Sequence, residues 1–203
     1  MVDKQLNNLL TDKKHRCHWV TGSALPIMIA YHDEEWGRPS HNDRDLFELL
    51  SLETYQAGLS WEIVLKKRDA FRHAFFNFDI AKVAAMQSIE PLLLDSSIIR
   101  NRLKLAATVN NARAIVKIQQ TYASFDNYVW HFVDGQTIDH HIENMADIPA
   151  QNQLSQIVAK RMKQDGFKFT GPVTIYSYLQ AVGVINDHEV GCVFNPDQEN
   201  GER

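Results

Sequence analysis

The feature that most constrains this chain is that its apolar residues recur at three- and four-residue spacing along nearly the whole length, punctuated at short intervals by helix caps. Asn42 stands where a cap belongs, with Asp45 three residues on and Leu46, Phe47, Leu49 and Leu50 behind it. Ser60 caps a helix expected to run through Ile63, Val64, Phe71 and Phe75, and Asp79 a shorter one through Val83. The stretch from Leu103 to Ile118 is rich in alanine and places Leu105, Val109, Ala112 and Val116 on one face. Ser124 to Val133 is shorter and aromatic. Residues 134 to 152 hold Gly135, Pro149 and the doublet His140 and His141, and read as a surface loop or a broken helix. No Val/Ile/Thr run alternates strictly enough to compete as a strand. An all-α fold is therefore expected, and with 203 residues, 44% of them hydrophobic, the chain is long enough to bury a core without disulfide staples.

The sharpest local pattern comes late. Leu154, Ile157, Val158 and Met162 mark a helix that should end at Gly166, a natural left-handed position. Phe167, Lys168, Phe169, Thr170 and Gly171 follow, and Pro172 opens a second helix from Val173 to Val182 that Gly183 stops. Two helices joined by a glycine-bounded turn form a helix-hairpin-helix unit over about residues 154–183. Its turn presents the amides of a helix N-terminus, which suit a phosphate, and Lys160, Arg161, Lys163 and Lys168 give residues 160 to 170 a net charge of +3. Glycines that merely let two helices pack, beside a solvated lysine face, would produce the same pattern.

There are two cysteines, Cys17 and Cys192. His188 lies four residues before Cys192, so the pair can grip one ion from a single helical turn, and Cys17 with His32 could complete a tetrahedral Cys2His2 site. Such a site has no open position and would be structural. A structural zinc contributes about 10 to 16 kcal/mol in finger peptides, against roughly 5 kcal/mol for closing a loop this long. Two buried free thiols are an alternative, a disulfide is a weaker one in a reducing compartment, and His18 could replace His32.

Residues 23 to 60 carry a net charge of −5 and hold Tyr31, Trp36 and Tyr55, with Trp19 just before and Trp61 just after. Glu53 follows Leu49, Leu50 and Leu52 and precedes the turn Gln56-Ala57-Gly58-Leu59-Ser60-Trp61. A carboxylate flanked by aromatic rings can accept hydrogen bonds from a planar ligand stacked on them and favours a cationic one. An exposed helix charge beside core aromatics is the alternative.

Taken together, Cys17-His18-Trp19, the stretch from Ala30 through Tyr31-His32-Asp33 to Trp36-Gly37, Glu53 with Gln56 to Trp61, Gly166-Phe167-Lys168-Phe169, and Asn186-Asp187-His188 with Cys192 occur in an order that resembles the 3-methyladenine DNA glycosylase I family. The resemblance spans Cys17 to Cys192. It implies a compact helical domain of the helix-hairpin-helix glycosylase superfamily over residues 17–192, with an N-terminal extension over 1–16 and a C-terminal tail over 193–203. It implies excision of 3-methyladenine from alkylated double-stranded DNA, with the free base as product. It also implies one structural zinc on Cys17, His32, His188 and Cys192. The base contacts fall on Tyr31, Glu53, Trp61, Trp19 and Ser177, with Glu53 also the catalytic carboxylate. The apolar plug falls on Leu59, and Lys168, Thr170 and Gly171 are the hairpin's DNA contacts. Met28 stands where better-known members have a pocket tyrosine, and Thr54 and Tyr55 where they have smaller or amide residues.

The net charge of −4, taken as a total, argues against a polyanionic partner. Resolved by segment, residues 61 to 117 carry +5 and 160 to 170 carry +3, while the acidic block holds Glu53. Phosphates and a cationic base ask for opposite charges on different surfaces, so the total excludes less than it first does. No stretch approaches a membrane span and the N-terminal residues lack a signal-type apolar core, so a cytoplasmic, membrane-free monomer is expected. The leading alternative is an all-helical His-Asp phosphohydrolase using His32-Asp33 with His15 or His18 and Asp139 or Asp187. A zinc-stapled DNA-binding module without catalysis is a third.

Overall fold

The computed structural model describes residues 12–21 and 25–196. Residues 1–11 of the expected N-terminal extension and 197–203 of the expected tail lie outside the described residues. The chain divides into two compact units, one built from residues within 1–39, 136–150 and 179–203, the other from 40–135 and 151–178. Among the described residues no helix is long and apolar enough to cross a membrane.

The first unit contains α1 (His18–Thr21) and α2 (Pro26–Glu34). Pro26 sits in the first turn of α2, where its missing N–H loses no bond. The expectation of a strand-free fold needs correction here: β1 (Ile138–Asp139) pairs in parallel with β2 (Ile185–Asn186), with Ile138 opposite Ile185 and Asp139 opposite Asn186. Two-residue strands are too short to leave an alternating pattern in a sequence. The remainder of residues 134 to 152 is loop, as expected, with one helical turn at Met145–Asp147. His140 and His141 both lie in this loop as expected: His141 is exposed, and His140, 28% exposed at its side chain, also donates from Nδ1 to the buried Asp187 Oδ1 at 2.6 Å.

Among its described residues the second unit has helices and connecting loops but no strand. Its centre is α3 (Asp43–Gln56), buried without interruption from Leu46 to Tyr55, as only a helix packed on all sides can be. Asn42 caps it by accepting from the amides of Arg44 and Asp45. The single helix expected after Ser60 is two, α4 (Trp61–Lys66) and α5 (Arg68–Ala74), broken at Lys67 with φ −102° and ψ 1°. No glycine or proline marks that break. Phe76, Asn77 and Phe78 then run through the left-handed region before Asp79 caps α6 (Ile80–Ala84). After α7 (Glu90–Leu94), the long α8 (Arg102–Tyr122) starts from the side chain of Asn101, and α9 (Phe125–Trp130) from that of Ser124. The hairpin follows: α10 (Gln153–Gln164), opened by a reciprocal Asn152–Ser155 capping box, and α11 (Pro172–Ala181), whose residues from Leu179 on count with the first unit. Gly166, at φ +93°, supplies the left-handed turn expected after α10. Phe167 stacks beyond it on Phe125 and Tyr128, at 6.0 and 6.1 Å between ring centroids.

Candidate active site and metal centre

Glu53 lies in the last full turn of α3 and is buried. Among the described residues nothing donates a hydrogen bond to its carboxyl group, and no cation pairs with it. Burial alone pushes its pKa up to about 8. The carbonyl end of its own helix also disfavours negative charge there. Beyond it the chain turns through Ala57 and Gly58, with Leu59 N–H bonded to Gln56 O at 2.6 Å, and leaves the Leu59 side chain 39% exposed. Ser60 then caps α4 through Ile63 N–H, so Trp61, half-buried, is the first residue of that helix. The glutamate, the exposed leucine and the indole are thus set by one helix end, one turn and one cap. Tyr55 does not join them: it is fully buried and its hydroxyl bonds Thr108 Oγ1 at 3.0 Å, while Thr54 Oγ1 donates to Leu50 O. Thr54 and Tyr55 thus belong to the core of the second unit.

In the first unit, Cys17, His32, His188 and Cys192 converge, all buried, with their ligating atoms within 4.8 Å of one another. This group can hold a metal ion. His188 turns Nδ1 toward both sulfurs, 3.4 Å from Cys17 and 3.5 Å from Cys192, and donates from Nε2 to Trp36 O. His32 turns Nε2 toward Cys192 at 3.6 Å and donates from Nδ1 to Asp33 Oδ1. Each imidazole therefore has its outer nitrogen committed and its inner one aimed at the sulfurs, the arrangement that fixes a metal-binding tautomer. The facing Cys17 S–H holds the Cys192 thiol well below its ordinary value, and the same contact together with burial raises Cys17. Gly37 has φ +74°, and a Cβ there would come within 2.7 Å of the His188 ring, so a side chain is excluded.

The structure also decides between the candidate histidines. His18 is exposed and bonded to Glu189, and His15 to Gly191 O, so neither joins the cluster. Asp33 receives Arg16 as well as His32, which makes it a partner of a ligand and leaves the His32-Asp33 doublet without the acidic ligand a phosphohydrolase centre needs. Asp187 is fully occupied by His140 and Gln180. Trp19 packs edge-on against His32 and Trp36 at 5.4 and 5.2 Å, and its buried indole N–H has no acceptor among the described residues. Tyr31, next to His32 on α2, is buried, and Met28 one turn earlier is half-buried.

The hairpin turn is held from α8. Asn111 grips Lys168 at both backbone groups, accepting from its N–H at 2.8 Å and donating to its C=O at 3.1 Å, while Asn110 donates to Gly166 O. A shallow cavity of about 550 Å³ is lined there by Lys160, Lys163, Lys168, Phe169, Thr170 and Gly171 among others. Ser177 lies farther along α11, half-buried, with its hydroxyl turned to Val173 O. The clamp residues Asn110 and Asn111 carry no sequence signal, because their targets lie more than 50 positions away.

The order and geometry of these groups place the chain among known proteins. The methyladenine glycosylase family model matches residues 19–195, and the chain belongs to that family. It is 45% identical over 183 residues to DNA-3-methyladenine glycosylase 1 of Escherichia coli (strain K12), covering 89% of this chain and 97% of that protein. A crystal structure of 3-methyladenine DNA glycosylase I superposes with a TM-score of 0.86 at 46% identity, covering 90% of this chain and all of the other. The Staphylococcus aureus enzyme, solved to show the basis of 3-methyladenine recognition, gives 0.85 at 40% identity, with 87% and 95% covered.

Proposed function

We propose that this chain is a base-excision repair glycosylase that flips 3-methyladenine out of alkylated double-stranded DNA and hydrolyses its N-glycosidic bond, releasing the free base. The observation that carries this reading is Glu53, a buried carboxyl group with no hydrogen-bond donor or cation beside it among the described residues. Methylation at N3 leaves the attached adenine cationic, so the base is already a good leaving group and no strong general acid is needed. What must be supplied is access to the bond and a compensating charge. Extrusion costs a few kcal/mol of unstacking, and Leu59 is assigned to fill the gap left in the duplex. Trp61 stacks on the purine, and Glu53 accepts from its edge and favours both the cationic base and the oxocarbenium-like charge at C1′ as the bond breaks. The base departs with the electron pair of the bond as neutral 3-methyladenine, and water adds at C1′ and gives up its proton to solvent.

The remaining assignments rest on the resemblance. Tyr31 supplies a polar contact, Trp19 backs the stacked ring and has an open indole N–H to offer, and Ser177 adds a hydroxyl. Lys168, Thr170 and Gly171 bind backbone phosphates. The family match over residues 19–195 supports a glycosylase domain at 17–192. A cytoplasmic monomer is part of the same proposal.

Zinc is the ion we assign to the cluster. Tetrahedral zinc with Zn–S of about 2.3 Å and Zn–N of about 2.0 Å sets sulfur to nitrogen separations near 3.5 Å. The three separations seen here are 3.4, 3.5 and 3.6 Å. When bound, the ion supplies a closed cross-link and activates no water. Incubation with methylated duplex DNA, followed by chromatography of the released bases, tests the function. Free 3-methyladenine is the expected product, and intact DNA with phosphate released from nucleotides would overturn it.

A further inference from the structure

Lys104 lies in the first turn of α8, where the helix dipole already disfavours a cation, and it is 7% exposed. Among the described residues no carboxylate lies within ion-pair distance of it. Its Nζ instead donates to Tyr55 O at 3.1 Å and to Ala57 O at 2.6 Å. One turn farther along the same face, Thr108 bonds the Tyr55 hydroxyl. A lysine buried without an acid is expensive unless its donors meet specific acceptors. The acceptors here are a carbonyl in the last turn of α3, Tyr55 O, and that of Ala57, the residue that ends the helix and begins the turn that carries Leu59. The positive side chain at the negative end of α3 satisfies carbonyls the helix leaves open.

We infer that Lys104 is a positioning residue for the duplex-opening step: it clamps the end of α3 so that Leu59 is presented as a rigid wedge. The inference rests on the proposed glycosylase function and adds to it a division of labour. Glu53 and Trp61 serve the base once it is out of the stack, whereas Lys104 and Leu59 serve its removal from the stack. A wedge that is ordered before it meets DNA loses no conformational entropy on insertion. A floppy one would have to be ordered in the transition state for flipping.

The test compares methylated duplex and methylated single-stranded oligonucleotides. Lys104→Met should lower kcat/KM on the duplex by about tenfold or more and on the single strand by less than about threefold, since little stacking opposes extrusion there. Affinity for free 3-methyladenine, read by tryptophan fluorescence, should stay within about twofold. In a Leu59→Ala background the same substitution should cost less than about threefold further, because a clamp has nothing to present once the wedge is gone. Lys104→Arg, which keeps the donors, should restore most of the duplex rate. If circular dichroism shows Lys104→Met to be unfolded, Lys104→Gln takes its place in every comparison. Equal losses on duplex and single strand, or losses that multiply with those of Leu59→Ala, would overturn the inference. A wild-type chain that releases 3-methyladenine from neither substrate would overturn the function itself.

Discussion

Two buried glutamates stand five residues apart on α3, and the protein treats them oppositely. Glu48 is surrounded by guanidinium groups: Arg44 reaches one carboxylate oxygen at 3.0 Å, Arg72 the other at 2.9 Å, and Arg68 bonds that same second oxygen. Among the described residues nothing donates to Glu53, and its pKa rises to about 8. A buried carboxylate is tolerated only when its lone pairs are satisfied or its charge is given up. Glu48 follows the first route and is part of the fold. Glu53 follows the second until something arrives from outside, and a cationic purine with N–H donors on its edge is such a ligand.

A third cluster sharpens the contrast and carries the largest expected effect. The Cys17, His32, His188 and Cys192 group differs from both, because a single ion would satisfy all four of its ligating atoms at once. Cys192→Ala should abolish stoichiometric metal in mass spectrometry of the native protein and destabilise the first unit by up to about 10 kcal/mol, read as loss of its cooperative unfolding. Retained metal with unchanged stability would dismiss the cluster as a metal site.

Next in size is Glu48→Ala, which leaves three arginines around an absent acceptor. Denaturant unfolding should show a loss of about 3 to 5 kcal/mol. The fraction that remains folded should excise 3-methyladenine at nearly the wild-type rate. Glu53→Gln should do the reverse, costing about 100-fold in kcat/KM while leaving the protein at least as stable as the wild type near neutral pH. Its effect on stability has a definite sign. The folded pKa of about 8 lies above the ordinary glutamate value of 4.5, so the folded state holds the proton longer. The contribution of Glu53 to stability is therefore fully present below about pH 4.5 and is lost as pH rises toward 8, at up to about 1.4 kcal/mol per pH unit. Glu53→Gln should remove that slope from the urea midpoint measured between pH 5 and 9. The smallest effect expected is that of Trp61→Ala, which should weaken free-base binding by about 1 to 3 kcal/mol, the worth of one stacked base. An equal loss in Trp130→Ala, whose indole is committed to Ser40 O, would show that the titration reads stability and not stacking.

Much of this was legible in the sequence, and the boundary is physical. Caps are local, so Asn42, Ser60 and Asp79 marked true helix starts. The hairpin was legible because Gly166 and Pro172 act through backbone conformation within a few residues. The break at Lys67 was not, since no residue there forbids a helix and only tertiary contacts end it. The β1–β2 pair was hidden by its length. Spacing alone left His18 and His32 open as ligands. Only the fold shows His18 turned away to Glu189. Glu53 stood out as a carboxylate among apolar and aromatic neighbours, but its solitude is a tertiary property. So is the pairing of Glu48 with arginines up to 24 positions away, and that of Lys104 with carbonyls 47 and 49 positions away.

The pH dependence of kcat/KM for release of 3-methyladenine from methylated duplex DNA, in the wild type and in Glu53→Gln, tests the central claim most directly. This parameter reports ionisations of the free enzyme. If the unpaired carboxylate is what receives the cationic base, the wild-type value should climb about tenfold per pH unit below 8 and level off above it, and the Gln variant should be low and flat. A Glu53→Gln enzyme that kept the wild-type rate and the same climb would contradict the assignment.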